Sequence, residues 1–278
     1  MLESPENRFF YTDDSESLAL AARKWALRMT NEAKSSHIGS SLSVIDILAV
    51  LYSGVVDISP ANWMDIDRDV VILSKGHAAA GLYAVLGLQG FISEEDLINY
   101  CNDGSYFGGH ITHHAKVGVE LSTGSLGHGL PYGLGIALSL KKRQSSSKVY
   151  VVISDGECDE GTTWESALLA QQYKLNNLFV IIDRNGLQSL TSTELTVALE
   201  PLADKWSAFN WNVVTVDGHS HADLRGALIQ SNKPNCIIAN TVKGKGVSFM
   251  ENSILWHYRF PNLEELTSAL GELEGNQI

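Results

Sequence analysis

The 278-residue chain has 44% hydrophobic and 19% charged residues, an ordinary composition for a globular protein that buries one substantial core. Its 32 acidic residues against 20 lysines and arginines give a net charge of −12, which argues against nucleic acid or an anionic membrane as a partner. We expect no transmembrane helix, because no apolar run approaches the roughly 20 residues that a bilayer requires.

Helices and strands alternate along the first third of the chain. The hydrophobic pattern predicts a helix over residues 16–34, with Asp14 or Ser15 as its N-cap, then a turn of small residues at 35–41 and a helix at 42–53. A short buried strand at 69–74 leads through Lys-Gly-His into a helix that ends near residue 89. A junction of this kind presents backbone N–H groups to an anion.

The rest of the chain predicts a parallel sheet. Residues 102–127 are rich in glycine and histidine and indicate a long ordered loop. The elements predicted after it are a helix at 128–143, strand 148–154, helix 160–174, strand 178–183, helix 201–208, strand 212–217, helix 221–231, strand 235–241 and a terminal helix and tail at 262–278. This alternation is typical of right-handed βαβ units, so we expect an α/β fold with a mostly parallel sheet flanked by helices, in one domain over residues 1–278.

Two of the predicted strands are followed closely by residues with oxygen-bearing side chains, Asp155 and Asn185. Neighbouring parallel strands place their C-terminal ends side by side, where open α/β sheets bind ligands. A carboxylate and an amide oxygen there can hold Mg²⁺, whose remaining positions suit diphosphate oxygens and water. Gly156 and Gly161 let the backbone approach such an anion. In the simpler alternative, Asp155 caps the following helix and Asn185 with Gly186 forms a turn.

The spacing of these residues matches a known cofactor motif. In the thiamine diphosphate motif, Gly-Asp-Gly is followed by Asn a little under thirty residues later. Here 28 residues (157–184) separate Asp155-Gly156 from Asn185, and Ser154 replaces the first glycine. With the other motifs the chain resembles transketolase, specifically its amino-terminal, diphosphate-binding half. The motifs lie at residues 36–39, 73–77, 118–127, 154–161, 183–187, 216–219, 242–247 and 256–257.

The resemblance implies a thiamine diphosphate-binding fold, with thiamine diphosphate and Mg²⁺ as cofactors. By that resemblance the metal ligands would be Asp155, Asn185 and the backbone carbonyl of Leu187. The cofactor-binding residues would be His77, Gly124, Leu126, Asp155, Gly156, Glu157, Glu160, Asn185 and His257. Glu160 matches an acidic residue in the family's subunit contact, where it helps to link two cofactor sites.

Four histidines match the catalytic histidines of the family. His77 and His257 would lie around the diphosphate and the reacting carbon, while His37 and His110 would hold the carbonyl and hydroxyls of the donor. The chemistry fits these residues, because donors aimed at a developing oxyanion give a large electrostatic contribution and imidazole exchanges protons near neutral pH.

Simpler roles for the histidines remain open at this point. His37 could have a purely structural role as a capping or turn residue. A zinc site formed by His110, His113 and His114 is conceivable but lacks a fourth ligand at a sensible spacing. The remaining histidines are expected to be structural: His128, His219 and His221.

The implied activity is transfer of a two-carbon ketol unit from a ketose phosphate to an aldose phosphate. The family's pyrimidine-binding domain, with its activating glutamate, and its carboxy-terminal domain find no counterpart here. We therefore expect a second subunit that carries them, in an α2β2 heterotetramer, with contacts from residues 124–138 and 160–172. Alternatives are a subunit of another thiamine diphosphate enzyme, a synthase or a component that decarboxylates 2-oxo acids, or a non-catalytic scaffold.

The cysteines and the first residues bear on location. Cys101, Cys158 and Cys236 have no metal-ligand spacing and form no even framework, which fits a reducing compartment. The acidic start of the chain lacks the apolar segment of a signal peptide. We therefore expect a cytoplasmic protein. The changed neighbours of His37 and His110 leave the identity of the sugars open.

Overall fold

A computed structural model describes residues 14–113 and 118–275. Their strands form one five-stranded sheet in which all neighbours run parallel, in the order β1-β2-β3-β5-β4. The strands are β1 Val70–Leu73, β2 Val149–Ser154, β3 Leu178–Arg184, β4 Asn212–Asp217 and β5 Asn235–Asn240. The predicted α/β class with a parallel sheet is confirmed.

Helices cover both faces of the sheet. They are α1 Ser15–Glu32, α2 Ile38–Val50, α3 Ala79–Leu88, α4 Glu94–Ile98, α5 Gly129–Lys142, α6 Gly161–Gln172, α7 Thr193–Thr196, α8 Leu202–Ala208, α9 His221–Ala227 and α10 Leu263–Gly275. Asp14 is the N-cap of α1, since its carboxylate accepts hydrogen bonds from the backbone of the first turn.

Strand side chains divide the apolar core into two layers because successive residues point to opposite faces. Val71 and Leu73 of β1 pack with α1, α2 and α3 in the larger core. Val70 and Ile72 face the other layer, which includes residues of α5, α6 and α8. The central strands β2 and β3 are buried along almost their whole length.

Helix α2 starts earlier than predicted. The turn expected over residues 35–41 ends at His37, and Gly39, Ser40 and Ser41 are buried inside the helix. Small residues are needed there, because a Cβ on Gly39 would lie 3.3 Å from the Cβ of Trp256. Sequence reasoning took a run of small residues as a turn, whereas the structure uses them for close packing.

One expectation about apolar runs is wrong. Within the described residues, the helical stretch Ile38–Val55, which is α2 and the π turn that continues it, is long and apolar enough to cross a membrane, with a mean hydropathy of 1.7 over 18 residues. In the fold, 89% of this stretch is buried. It packs against α1 and α3 in the larger core, which accounts for its composition.

Most other boundaries lie within a few residues of the prediction. The short helices α4 and α7 were missed, and α9 ends at Ala227 rather than near residue 231. The described parts of the predicted loop at 102–127 contain neither helix nor strand. His114, the first residues of the chain and the last three residues of the predicted tail lie outside the described residues.

Candidate active site

The candidate site lies at the C-terminal edge of the sheet. Because all five strands run parallel, the segments that follow them emerge on the same side. His77 follows β1, Asp155 follows β2, Asn185 follows β3 and Lys243 follows β5. Residues that are far apart in the sequence therefore reach one place.

Two of the three oxygen donors predicted for a metal accept hydrogen bonds from the backbone of residues 186–187. Asp155 Oδ2 accepts from the Gly186 N–H at 2.7 Å, and Asn185 Oδ1 accepts from the Leu187 N–H at 3.1 Å. Asp155 is 2% exposed, whereas Asn185 and Leu187 are half-buried. A carboxylate, an amide oxygen and a backbone carbonyl are hard donors suited to Mg²⁺.

The electrostatics around Asp155 also suit a cation. Burial, together with the neighbouring Asp183 carboxylate, raises the pKa of Asp155 above its ordinary value. A positive charge beside it would offset both effects. Arg184 supplies part of that charge, since its guanidinium lies 3.2 Å from Asp155 Oδ2. The donor set therefore fits a Mg²⁺ ion.

The alternative in which Asp155 caps the next helical turn does not hold. The residue at that position is Ser154, whose N–H and hydroxyl both donate to Glu157 Oε2, at 2.8 and 3.2 Å. The other carboxylate oxygen of Glu157 accepts from the Gly127 N–H at 3.0 Å and from the Ser74 hydroxyl. Glu157 is fully buried, so it ties the β1 and β2 ends to the loop before α5.

Two glycines allow that loop to approach the strand ends. A Cβ on Gly76 would lie 2.2 Å from the Thr123 carbonyl oxygen, so only glycine fits. Gly124 has a φ of 149°, and a Cβ there would lie 2.9 Å from the His110 ring. The loop is pinned by the Thr123 hydroxyl, which donates to the Leu73 carbonyl at 2.8 Å.

Three further predicted cofactor residues lie along the same edge. Gly156 is half-buried, and a Cβ on it would come within 3.3 Å of the Gln188 side chain. Leu126 is half-buried, and its carbonyl faces the His128 ring. Glu160 is exposed at the start of α6, and a Cβ on Gly127 would lie 2.7 Å from the Glu160 Cβ.

The four predicted catalytic histidines form one group. The His37 ring centroid lies 5.4 Å from that of His77, 5.3 Å from that of His110 and 4.9 Å from that of His257. The His77 and His257 centroids are 5.7 Å apart. We call these four residues the histidine cluster. They come from four separate parts of the chain, so the fold rather than local sequence creates the cluster.

His37 occupies a strained backbone position that is set by its neighbour. Its φ of 76° lies in the left-handed region, which is uncommon for any residue other than glycine. The His37 N–H donates to the His257 carbonyl at 3.0 Å, so the two backbones hold each other. Strain of this kind is often found at functional sites.

The electrostatics of the histidine cluster favour neutral imidazoles. Burial, with His110 and Lys243 nearby, lowers the pKa of His37 to about 4. Burial and Lys243 lower the pKa of His257 to about 3. The pKa of His77 is also well below its ordinary value because of burial and Lys75. At neutral pH these rings can donate one hydrogen bond and accept another.

Sequence reasoning missed two buried lysines of the site, although both lie in the quoted motifs. Lys75 pairs with Asp183 inside the protein. Burial by itself would raise the pKa of Asp183, but Lys75 and the hydroxyls of Ser43 and Thr241 hold that pKa below its ordinary value. The sequence places Lys75 and Lys243 shortly after predicted strands, at the edge of the sheet where the site was expected. It does not show that either lysine is buried.

Lys243 connects the histidines to the oxygen donors. Its Nζ lies 3.2 Å from the Leu187 carbonyl oxygen and 3.2 Å from His257 Nδ1. It is 1% exposed, and within the described residues no carboxylate lies within ion-pair distance of it. Burial and the charge of Lys75 lower the pKa of Lys243 to about 8. A buried ammonium with this surrounding favours an anionic ligand.

The other histidines do not join this group. His113 donates its backbone N–H to the Ser122 hydroxyl, and its ring contacts the Val119 carbonyl at 2.6 Å. Among the described residues, no group of three or more histidines, cysteines and acids could hold a metal ion. His219 and His221 contact Asp46 on α2 instead.

Comparisons with known proteins show the family to which the chain belongs. Residues 15–258 match the family described as transketolase, thiamine diphosphate binding domain. An apulose-4-phosphate transketolase subunit of Actinobacillus succinogenes is 41% identical, over 94% of this chain and 96% of that protein. The 6-deoxy-6-sulfo-D-fructose transketolase subunit SqwG of a Clostridium species is 37% identical, over 94% and 96%.

Solved structures show the same fold. The crystal structure of transketolase from Campylobacter jejuni superposes with a TM-score of 0.89 at 31% identity, over 94% of this chain and 42% of that one. The match to the family domain covers most of the chain, and the resemblance inferred from the motifs is confirmed. The chain therefore belongs to the transketolase family, as a transketolase-type enzyme subunit that contains the thiamine diphosphate-binding domain.

Proposed function

We propose that the chain binds thiamine diphosphate with Mg²⁺ and, together with a second subunit, transfers a two-carbon ketol unit from a ketose to an aldose. The observation that carries this proposal is the position of Lys243. Its ammonium contacts both the Leu187 carbonyl, a proposed metal ligand, and His257 of the histidine cluster. An anionic cofactor beside Lys243 would therefore lie next to both the proposed metal ligands and the histidine cluster.

Each part of the site has a separate task in this proposal. Asp155, Asn185 and the Leu187 carbonyl hold the metal, while Lys243, His77, Gly156 and the loop at 124–126 bind the diphosphate side. When bound, thiamine diphosphate supplies the nucleophilic carbon and the electron sink that cleavage of a carbon–carbon bond requires.

The substrate is held by the outer part of the histidine cluster. His37 and His257, neutral because of their low pKa values, can donate hydrogen bonds to a carbonyl oxygen and accept them from hydroxyl groups. His110 is exposed next to His37 and can reach a substrate hydroxyl. Such donors stabilise negative charge on oxygen as it develops.

The second subunit is proposed to carry the pyrimidine-binding and carboxy-terminal domains, in an α2β2 assembly. Support comes from relatives of matching length that are each named as one subunit of a transketolase. A face of α5 and α6 also exposes apolar side chains, with Tyr132 48%, Leu168 61% and Leu169 46% exposed. These residues lie within the segments 124–138 and 160–172, and Glu160 lies exposed at the start of the same α6.

The proposed substrates are small anionic sugars. One relative is named for apulose-4-phosphate and another for 6-deoxy-6-sulfo-D-fructose, and both names describe sugars with an anionic group. The same names favour ketol transfer over the alternatives of a synthase, a 2-oxo acid decarboxylating component or a scaffold. A cytoplasmic location remains part of the proposal, supported by three cysteines that are all free thiols.

The test is a reconstitution with the product of a candidate partner gene. Thiamine diphosphate and Mg²⁺ are titrated into the mixture, and ketol transfer from a ketose phosphate to an aldose phosphate is followed. We expect activity only with both chains and both ligands. The variant Asp155→Ala should lose at least about 100-fold in cofactor affinity, because loss of a direct ligand should cost more than loss of an outer-shell partner, which costs up to about 100-fold.

The outcomes separate the competing functions. Cofactor binding without ketol transfer would retain the site and point to a different reaction, which can be examined with 2-oxo acids. Absence of binding with the partner present would contradict a catalytic role and leave the scaffold. Asn176→Ala, on the surface turn before β3, is a control that should leave both affinity and rate unchanged, because its side chain takes no part in the site.

A further inference from the structure

A second buried polar group lies behind the site and is centred on Asp46 of α2. Both Asp46 oxygens accept from the Arg23 guanidinium, at 3.0 and 2.5 Å. Asp46 Oδ2 also lies 2.6 Å from His219 Nδ1, and Oδ1 lies 3.0 Å from His221 Nε2. We call these four residues the Asp46 cluster. It joins α1, α2, the turn after β4 and the first residue of α9.

His219 has a partner on each side of its ring, and the two partners fix its tautomer. The Val242 N–H donates to His219 Nε2 at 2.8 Å, so this nitrogen has no proton. Nδ1 therefore carries the proton and donates it to Asp46. His221 differs, because its other ring nitrogen lies 2.7 Å from the Ser15 hydroxyl, and within the described residues His221 makes no hydrogen bond to the segment after β5.

The segment Val242–Lys245 is held at both ends by the Asp46 cluster. His219 accepts the N–H of Val242, and the Arg23 Nε donates to the Lys245 carbonyl at 3.2 Å. Between these contacts lies Lys243, whose side chain enters the candidate site. The Gly244 N–H donates to the Gly39 carbonyl at 2.9 Å, which ties the same segment to the first turn of α2.

We propose that His219 is a positioning residue, which Asp46 orients so that it fixes the backbone of Val242 and thereby places the Lys243 ammonium in the cofactor site. The proposal rests on the proposed cofactor function. His219 contacts Asp46 and the residue before Lys243, so it acts through the backbone without touching the cofactor. Replacement of His219 should therefore lower both the order of the segment Val242–Lys245 and the affinity for the cofactor.

Two substitutions of His219 separate its two contacts. In His219→Asn the amide nitrogen takes the place of Nδ1 and keeps the bond to Asp46, but nothing accepts from Val242. In His219→Gln the amide oxygen takes the place of Nε2 and keeps the bond to Val242. His221→Ala is the matched control, because it removes one bond to Asp46 and leaves the segment after β5 untouched.

Two measurements on the full chain, assembled with its partner, test the proposal. The first is hydrogen exchange of the peptide that covers residues 241–250. The second is the Kd for thiamine diphosphate with Mg²⁺, from calorimetry. For His219→Asn we expect exchange of that peptide to be about 10-fold faster and the Kd about 10-fold higher, in the range seen for outer-shell partners of metal sites. His219→Gln should recover most of both, and His221→Ala should change neither.

Each other outcome would overturn the proposal. Equal effects of His219→Asn and His221→Ala would give the Asp46 cluster a purely structural role. Faster exchange with an unchanged Kd would show that the Lys243 position does not depend on this contact. If the wild-type complex does not bind the cofactor, the proposed function fails. If hydrogen exchange of residues 241–250 is unchanged in His219→Asn, His219 does not fix the Val242 backbone. This result would contradict the proposal whether or not the cofactor binds.

Discussion

The histidine cluster and the Asp46 cluster are both polar and both attached to α2, yet their burial and their charges differ. The Asp46 cluster is largely buried, whereas His37, His77 and His257 are half-buried and His110 is exposed. In the Asp46 cluster one carboxylate accepts hydrogen bonds from an arginine and two imidazoles, and each imidazole has a second partner. The histidine cluster adjoins Lys243, which contacts carbonyls and an imidazole in place of a carboxylate. The first group is satisfied by the chain itself, and the second lacks an anion.

The helix α2 thus serves both folding and function. Buried ions that are fully paired hold elements together, and removal of one partner leaves a costly unpaired charge. Buried cations without an anion reduce the stability of the free protein, and the ligand offsets that cost when it binds. We therefore expect opposite effects on stability when Asp46 is replaced and when Lys243 is replaced.

The largest expected effect on stability is for Asp46→Ala. The substitution leaves the Arg23 guanidinium buried without its counter-ion, so the free energy of unfolding should fall by about 3–5 kcal/mol. Urea denaturation at pH 7 measures it. If the free energy of unfolding falls by less than about 1 kcal/mol, the Asp46 ion pair contributes no more than an exposed surface pair. The Asp46 cluster would then not stabilise the fold as described.

A smaller effect of opposite sign is expected for Lys243→Met. Methionine fills similar space without a buried charge, so the free protein should be as stable as wild type or more stable by about 1 kcal/mol. The variant should nevertheless bind thiamine diphosphate much more weakly. A variant that is destabilised as strongly as Asp46→Ala would mean that the Lys243 ammonium is already satisfied without a ligand.

The third effect concerns the pH dependence of stability. His37 and His257 have pKa values of about 4 and 3 in the folded protein, below the value of about 6.5 in an unfolded chain. Between these values the unfolded state binds more protons, so stability falls as pH drops from about 6.5 to about 4. His37→Gln should reduce this proton difference by up to about one proton. Denaturation from pH 4 to pH 7 measures the slope, and an unchanged slope would contradict a buried neutral His37.

Local patterns predicted the strands well and predicted that Asp155 and Asn185 lie at the same edge of the sheet. The apolar runs that became β1, β2 and β3 have no polar interruption, and the parallel arrangement follows from the helices between them. Asp155 and Asn185 could be placed together because strand ends in such a sheet must meet. The four histidines were found through the motifs of the family, and their mutual distances required the fold.

Long-range packing accounts for what could not be predicted. The start of α2 was missed because the need for small residues at Gly39 arises from Trp256, more than two hundred positions away. Lysine is usually found at the surface, and only the structure shows that Lys75 and Lys243 are buried. His219 was expected to be structural, but its link to Lys243 depends on an aspartate in a distant helix.

The position of the metal in a crystal of the assembled complex would show whether Asp155, Asn185 and Leu187 hold it. Crystals grown with thiamine diphosphate and Mn²⁺ in place of Mg²⁺ would give an anomalous diffraction signal from the metal. We predict one peak in this subunit, in contact with Asp155, Asn185 and the Leu187 carbonyl, with the diphosphate next to Lys243 and His257. A peak bound by other residues, or cofactor density away from the histidine cluster, would contradict this account of the site.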